Sequence, residues 1–188
     1  MRPTLMVITG STRQGRVGDQ IARWLADLAR QCGELDVDEA DLRDIGLPLL
    51  DEPEHPSLGA YTQVHTRRWS HRVRAADAFA IVTPEYNWSY PGSLKNALDF
   101  LYREWNGKPV SVVSYGGVSA GTRAATALLP VLSSLQMRPV GAVHIPWPAN
   151  SDGALFAPAP GLTAAARRVL AEIADAVPRR TERVDAAC

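Results

Sequence analysis

Short runs of consecutive apolar residues alternate along the chain with longer stretches in which apolar residues recur every three or four positions. Leu5-Met6-Val7-Ile8, Ala78-Phe79-Ala80-Ile81-Val82 and Pro109-Val110-Ser111-Val112-Val113 have strand length and little polar alternation, the pattern of parallel strands covered on both faces. Between them, Ile21, Trp24, Leu25 and Leu28, then Leu94, Ala97, Leu98 and Leu101, then Ala125, Leu128, Leu129, Leu132 and Leu135 fall on helical stripes. This periodicity predicts strands near 4–9, 35–41, 78–83, 109–115 and 139–145, and helices near 17–31, 59–76, 93–102, 121–136 and 162–177. Five βα units imply an α/β fold with a doubly wound, five-stranded parallel sheet of order 2-1-3-4-5.

Asp44 to Pro56 combines prolines, glycine and acids and is expected to be a surface connection. Residues 146–161 carry Pro146, Pro148, Pro158 and Pro160 and predict a second irregular excursion, and residues 178–188 are expected to fray. No boundary is needed: 188 residues suit one domain, 1–188, with a sizeable core. Twenty basic and 20 acidic residues cancel, so composition offers no electrostatic case for nucleic acid. Cys32 and Cys188 form no metal or redox motif, which fits a reducing, cytoplasmic setting. No apolar run is long enough for a membrane span, and the early first strand leads us to expect no signal peptide.

Chemistry concentrates in the loops that follow the strands. Thr9-Gly10-Ser11-Thr12-Arg13-Gln14-Gly15-Arg16-Val17-Gly18 joins the first strand to the first helix. Unpaired N–H groups and the dipole at a helix start favour an anion, and glycines let the backbone come close to a phosphate. Ser11 adds a hydroxyl, while Arg13 and Arg16 add forked donors suited to phosphate oxygens. Neither G-x-x-x-x-G-K-[ST] nor G-x-G-x-x-G is present, which excludes a triphosphate loop and a dinucleotide fingerprint. Two arginines and a hydroxyl suit one dianionic phosphate, as on a mononucleotide such as FMN.

After the third strand, Pro84-Glu85-Tyr86-Asn87-Trp88-Ser89-Tyr90 is a polar, aromatic loop that opens into a helix at the carboxyl end of the sheet, where open α/β folds bind ligands. The backbone of Glu85, Tyr86 and Asn87 is expected to bond a flavin ring edge, which needs amide donors and acceptors rather than charge. A third loop, Ser114-Tyr115-Gly116-Gly117-Val118-Ser119-Ala120-Gly121, has glycines that allow close approach to a flat ring.

The remaining candidates carry less chemistry. Trp88 and Tyr90 suit either an interface or the pocket. Ser93 is expected to cap its helix, and Lys95 and Asn96 to tie loops or reach a partner. His55, His65, His71 and His144 lack metal-ligand spacing, so no metal is expected, and no serine sits in a G-x-S-x-G elbow.

Taken together, Gly10-Ser11-Thr12-Arg13-Gln14-Gly15-Arg16, Pro84-Glu85-Tyr86-Asn87, Pro91-Gly92-Ser93-Leu94-Lys95-Asn96-Ala97-Leu98-Asp99 and Ser114-Tyr115-Gly116-Gly117 resemble the NAD(P)H-dependent FMN reductase family, a flavodoxin-like branch. Some members place a serine and an asparagine where this chain has Arg16 and Gly18; arginine supplies the hydroxyl's donor role. The resemblance implies a three-layer flavodoxin-like sandwich that binds FMN through Ser11, Arg13, Gly15, Arg16, Val17 and Gly18, through Pro84, Glu85, Tyr86 and Asn87, and through Ser114, Tyr115, Gly116 and Gly117. It implies hydride transfer from NADPH or NADH to flavin N5, then electron delivery to a small acceptor: free flavin, a quinone, an azo compound or a metal oxyanion. No side chain is assigned as acid or base. It also implies a homodimer or homotetramer. The alternative is a flavodoxin-type electron carrier that does not react with nicotinamide; carriers of that kind are usually strongly acidic, unlike this balanced chain.

Overall fold

A computed structural model describes residues 2–178; the fraying expected from Pro178 onward therefore falls, but for that proline, outside the described residues, as does Cys188. The chain runs β1 (Thr4–Thr9), α1 (Gly18–Cys32), β2 (Asp36–Asp41), α2 (Leu42–Ile45), α3 (Val64–Ala75), β3 (Ala78–Pro84), α4 (Gly92–Asp99), β4 (Pro109–Gly116), α5 (Thr122–Ser134), β5 (Arg138–Pro146), β6 (Ser151–Asp152), β7 (Leu155–Phe156) and α6 (Pro160–Ala176). The five main strands pair in parallel in the order β2-β1-β3-β4-β5, as the sequence predicts.

Alternate residues of each central strand feed two separate cores, which is why these strands are apolar throughout. Met6, Ile8, Phe79, Ile81, Val110 and Val112 face α2, α3, α4 and α5. Leu5, Val7, Ala78, Ala80, Val82 and Val113 face α1 and α6. Ile21, Leu25 and Leu28 of α1 are buried as their stripe predicts, whereas Trp24 packs edge-on against Phe156, 5.2 Å between centroids. On α5, Ala125, Leu128 and Leu132 are buried, as is Leu135 at its C-cap, but Leu129 is exposed.

Three differences from the expected elements have local causes. The helix expected from residue 59 begins at Val64: Pro56–Leu58 is a single 3-10 turn ended by Gly59 at φ 69°, and the Glu52 carboxylate accepts from the Thr62 and Gln63 N–H groups, capping the later start. The connection expected from Asp44 is preceded and entered by α2, whose first turn the Asp41 carboxylate caps through Arg43 N–H. The excursion at 146–161 holds a short antiparallel hairpin, β6–β7. Asn150 fixes its ends, donating to Pro146 O and accepting from Ala159 N–H, and Gln20 fastens it to α1 through Ala154 O and Phe156 N–H.

Candidate functional site

The loop after β1 crosses the carboxyl end of the sheet. Gly10 N–H donates to Val82 O at 2.9 Å, and a Cβ on Gly10 would approach that oxygen to 3.1 Å, so the close crossing favours glycine. The Ser93 hydroxyl donates to Gly10 O at 2.7 Å. This corrects the expected cap: the N-cap of α4 is Pro91, without a side-chain bond, and Ser93 instead clasps α4 to the loop. Asn96 ties in a second segment, donating to Pro48 O and accepting from Leu50 N–H, while Lys95 pairs with Asp99 on its own helix. Val17 is the N-cap of α1, its carbonyl accepting from Gln20 and Ile21 N–H.

Of the two arginines, Arg16 is the one drawn into the fold. Its side chain is only 8% exposed and pairs through Nη2 with Asp41 at the end of β2, a partner the sequence did not reveal because it lies 25 residues away. Nε and Nη1 are buried with no hydrogen-bond partner. Buried guanidinium donors without acceptors are costly, so two of them beside a helix start call for an anion. Ser11 is buried, and its hydroxyl lies 2.7 Å from that of Tyr86. Arg13 and Gly15 are exposed at the rim, Gly15 at φ 66°.

Tyr115 departs from its expected place along the ring loop. Its side chain is 6% exposed and belongs to the α1/α6 core, with its hydroxyl 2.6 Å from where a Cβ on Gly18 would sit. Packing against Tyr115 thus favours glycine at position 18. Burial raises the Tyr115 phenol well above its usual range; Tyr86 adds to the rise, and the charge of Arg13 and Arg16 opposes it. Tyr86 meets the first loop at Ser11 and Tyr115 meets it at Gly18, so side chains of the second and third loops both reach the first.

The loop after β3 is a tight hairpin. Tyr86 and Ser89 exchange backbone hydrogen bonds of 2.8 and 2.9 Å, and Asn87 and Trp88 between them take φ 47° and 67°. Positive φ at both central positions is the type I′ geometry. Pro84 ends β3 in register with Tyr115, and Glu85 N–H donates to Tyr115 O at 3.2 Å, so the second and third loops share the ladder's last rung. Although burial opposes its charge, bonds from Ser119 and Arg123 hold the Glu85 carboxyl below the usual range. Its side chain braces the third loop and its N–H is taken by Tyr115 O, leaving its carbonyl as the group available to a ligand.

In that third loop Ser114 is buried, donating to Ala120 O at 3.0 Å and lying 2.7 Å from His144 Nδ1. A Cβ on Gly121 would fall 2.7 Å from Tyr115 N, and one on Gly116 3.1 Å from Gly121 N, so the loop closes tightly on itself. Gly117 and Val118 project from it, exposed. Among the described residues no group of three metal-ligating side chains occurs, and no helix is long and apolar enough to cross a membrane.

The residues present fit FMN: orphaned donors of Arg16 and the Ser11 hydroxyl for a phosphate monoester, and backbone of two loops for a flat heterocycle. A model of NADPH-dependent FMN reductases matches residues 3–150. The chain is 45% identical to an NAD(P)H-dependent FMN reductase of Schizosaccharomyces pombe over 72% of this chain and 68% of that one. It is 36% identical to a quinone reductase of Pseudomonas putida, covering 71% and 72% of the two chains. Among solved structures, the flavoenzyme FerB of Paracoccus denitrificans, an NAD(P)H:(acceptor) oxidoreductase, superposes with a TM-score of 0.71 at 27% identity, over 92% of this chain and 98% of FerB. The expected flavodoxin-like fold, enzyme class, flavin cofactor and nicotinamide donor are thereby borne out, and the chain belongs to the NADPH-dependent FMN reductase family.

Proposed function

We propose that this chain binds FMN across the loops after β1, β3 and β4 and passes two electrons from NADPH or NADH to a flavin or quinone-type acceptor. The observation that carries the assignment is the Arg16 guanidinium, anchored by Asp41 with two buried N–H donors left over. Ser11, Arg16 and the N–H groups from Val17 and Gly18 hold the phosphate, with Arg13 and Gly15 closing over it. Pro84 to Asn87 present backbone to one edge of the ring, and Ser114 to Gly117 form the wall beside it. When bound, FMN supplies the redox chemistry. The protein's part is to orient the ring between two loops braced by Glu85 and to leave one face open for donor and acceptor in turn, which gives ping-pong kinetics. Amide donors at the ring edge stabilise negative charge as it develops.

Protein reconstituted with FMN should show a flavin absorbance spectrum that bleaches on anaerobic mixing with NADPH and recovers with a quinone. A protein that takes up no FMN overturns the assignment; bound flavin that stays oxidised with both nicotinamides favours the carrier reading instead.

We also infer a single domain, a cytoplasmic location and assembly into a homodimer or homotetramer. An open ring face and the exposed Val118 and Leu49 give one small domain apolar surface to cover. Light scattering that finds only a 20.4 kDa species refutes the assembly.

A further inference from the structure

Trp88 is an exposed aromatic in a conformation that aromatic residues seldom adopt. It occupies the second central position of the I′ hairpin at φ 67°, where glycine is the usual choice, and its side chain gains no burial in return, being 73% exposed. Strain of this kind persists where surrounding structure holds it, and it clusters at ligand clamps. Here the surroundings are specific. The Arg123 guanidinium lies over the indole at 4.6 Å from its centroid. Arg123 is held in turn by Glu85, which accepts from Nη1 at 3.1 Å and from the backbone N–H at 3.2 Å. The Glu85 side chain is turned inward, 10% exposed, whereas that of Arg123 is 49% exposed. The charge facing solvent is therefore positive. Among the described residues nothing accepts from Arg123 Nε or Nη2.

We propose that Trp88 and Arg123 form an outer subsite for an aromatic second substrate bearing an anionic group, next to the ring position assigned above and resting on that assignment. The indole supplies a stacking face, and the planar guanidinium supplies a forked donor edge that matches carboxylate, sulfonate or phosphate oxygens. Glu85 holds the cation in place without exposing its own charge. The anion can belong to the acceptor or to the dinucleotide donor, and the kinetics separate the two.

The test uses FMN-loaded wild type, Arg123→Gln, Arg123→Lys and Trp88→Ala, with NADPH as donor and menadione or 1,2-naphthoquinone-4-sulfonate as acceptor. Arg123→Gln should raise KM for the sulfonated quinone about tenfold and change that for menadione less than about twofold, the scale of one charge-assisted contact. Arg123→Lys should recover part of the difference. Trp88→Ala should raise KM for both quinones about fivefold, with FMN affinity unchanged, as one stacking contact is lost. A rise confined to KM for NADPH also supports the subsite and assigns the anion to the donor. For Arg123→Gln, parallel changes for the charged and neutral acceptors with KM for NADPH unchanged overturn it. So does a Trp88→Ala protein with wild-type kinetics and a lower mass by light scattering, which would make the indole a contact between copies. Failure of the wild type to bind FMN overturns the underlying assignment instead.

Discussion

Arg16 and Asp41 form an ion pair beneath the loop that follows β1, with side chains 8% and 21% exposed. The pair uses Nη2 and leaves Nε and Nη1 buried and unsatisfied. A buried pair gains little net stability, because desolvating both charges offsets their attraction. It holds the guanidinium in place while its other two donor atoms keep no acceptor. Arg16→Met should lower FMN affinity by roughly 30- to 100-fold, on the order of 2–3 kcal/mol for charge-assisted bonds. Riboflavin, which lacks the phosphate, should lose less than about threefold on the same scale. Isothermal titration of both ligands checks this, and equal losses would show that Arg16 does not read the phosphate.

Asp41→Ala acts on the same pair with a different outcome. It strands the guanidinium and removes the cap on Arg43 N–H, so the ligand-free protein should lose about 3–5 kcal/mol. Arg16→Met discards the orphaned donors with the charge and should cost much less. Urea unfolding of the two variants gives the comparison, and added FMN should narrow the gap for Asp41→Ala if the phosphate re-pairs the guanidinium.

Gly18 and Tyr115 compete for one position. A methyl on Gly18 would sit 2.6 Å from the Tyr115 hydroxyl and 3.2 Å from Cζ. Gly18→Ala should therefore cost about 1–3 kcal/mol through overpacking. Tyr115→Phe removes the nearer atom, so the double variant should recover part of the loss, a coupling of about 1 kcal/mol in a double-mutant cycle. Additive losses would mean that Gly18→Ala acts through backbone entropy alone.

The fold was legible because its strongest signals are local. Unbroken runs such as 78–82 marked buried parallel strands, and the positions of their loops located the candidate site. What stayed hidden depends on contacts between distant segments. Arg16 and Arg13 look alike in sequence, and only Asp41 at the end of β2 separates them. Ser93 has the composition of a cap, but Gly10 lies within reach of its hydroxyl and Pro91 already starts the helix. Tyr115 sits in a loop pattern that suggests a ring contact, yet strand alternation sends its side chain to the α1 side of the sheet. The 151–156 hairpin was masked by prolines because side chains of Asn150 and Gln20, rather than strand propensity, hold it.

Acid should release the start of α3. Burial alone would raise the Glu52 carboxyl, but hydrogen bonds from Thr62 N–H, Gln63 N–H and the Thr62 hydroxyl outweigh it and lower the folded value to about 2 from 4.5. A depressed folded value means that the carboxylate stabilises the fold above pH 4.5 and that this contribution fades as pH falls from 4.5 toward 2. Glu52→Gln should be less stable than wild type at pH 7, and the difference should shrink across that window. Thermal melts at a series of pH values measure it, and a pH-independent difference would remove Glu52 from the account.

Trp88→Gly separates stability from activity at the site's rim. The substitution converts Asn87-Trp88 into Asn-Gly, the favoured pair for a I′ turn, and removes a side chain whose indole is 73% exposed. Relief of the left-handed strain is worth about 1–2 kcal/mol, reduced by the greater entropy glycine gives the unfolded chain. The melting temperature should therefore rise, by a few degrees for a domain of this size. Loss of the stacking face proposed for the indole should worsen acceptor KM as stability improves. A Trp88→Gly protein that melts below wild type would mean that the Arg123–indole contact stabilises the loop more than the turn strains it.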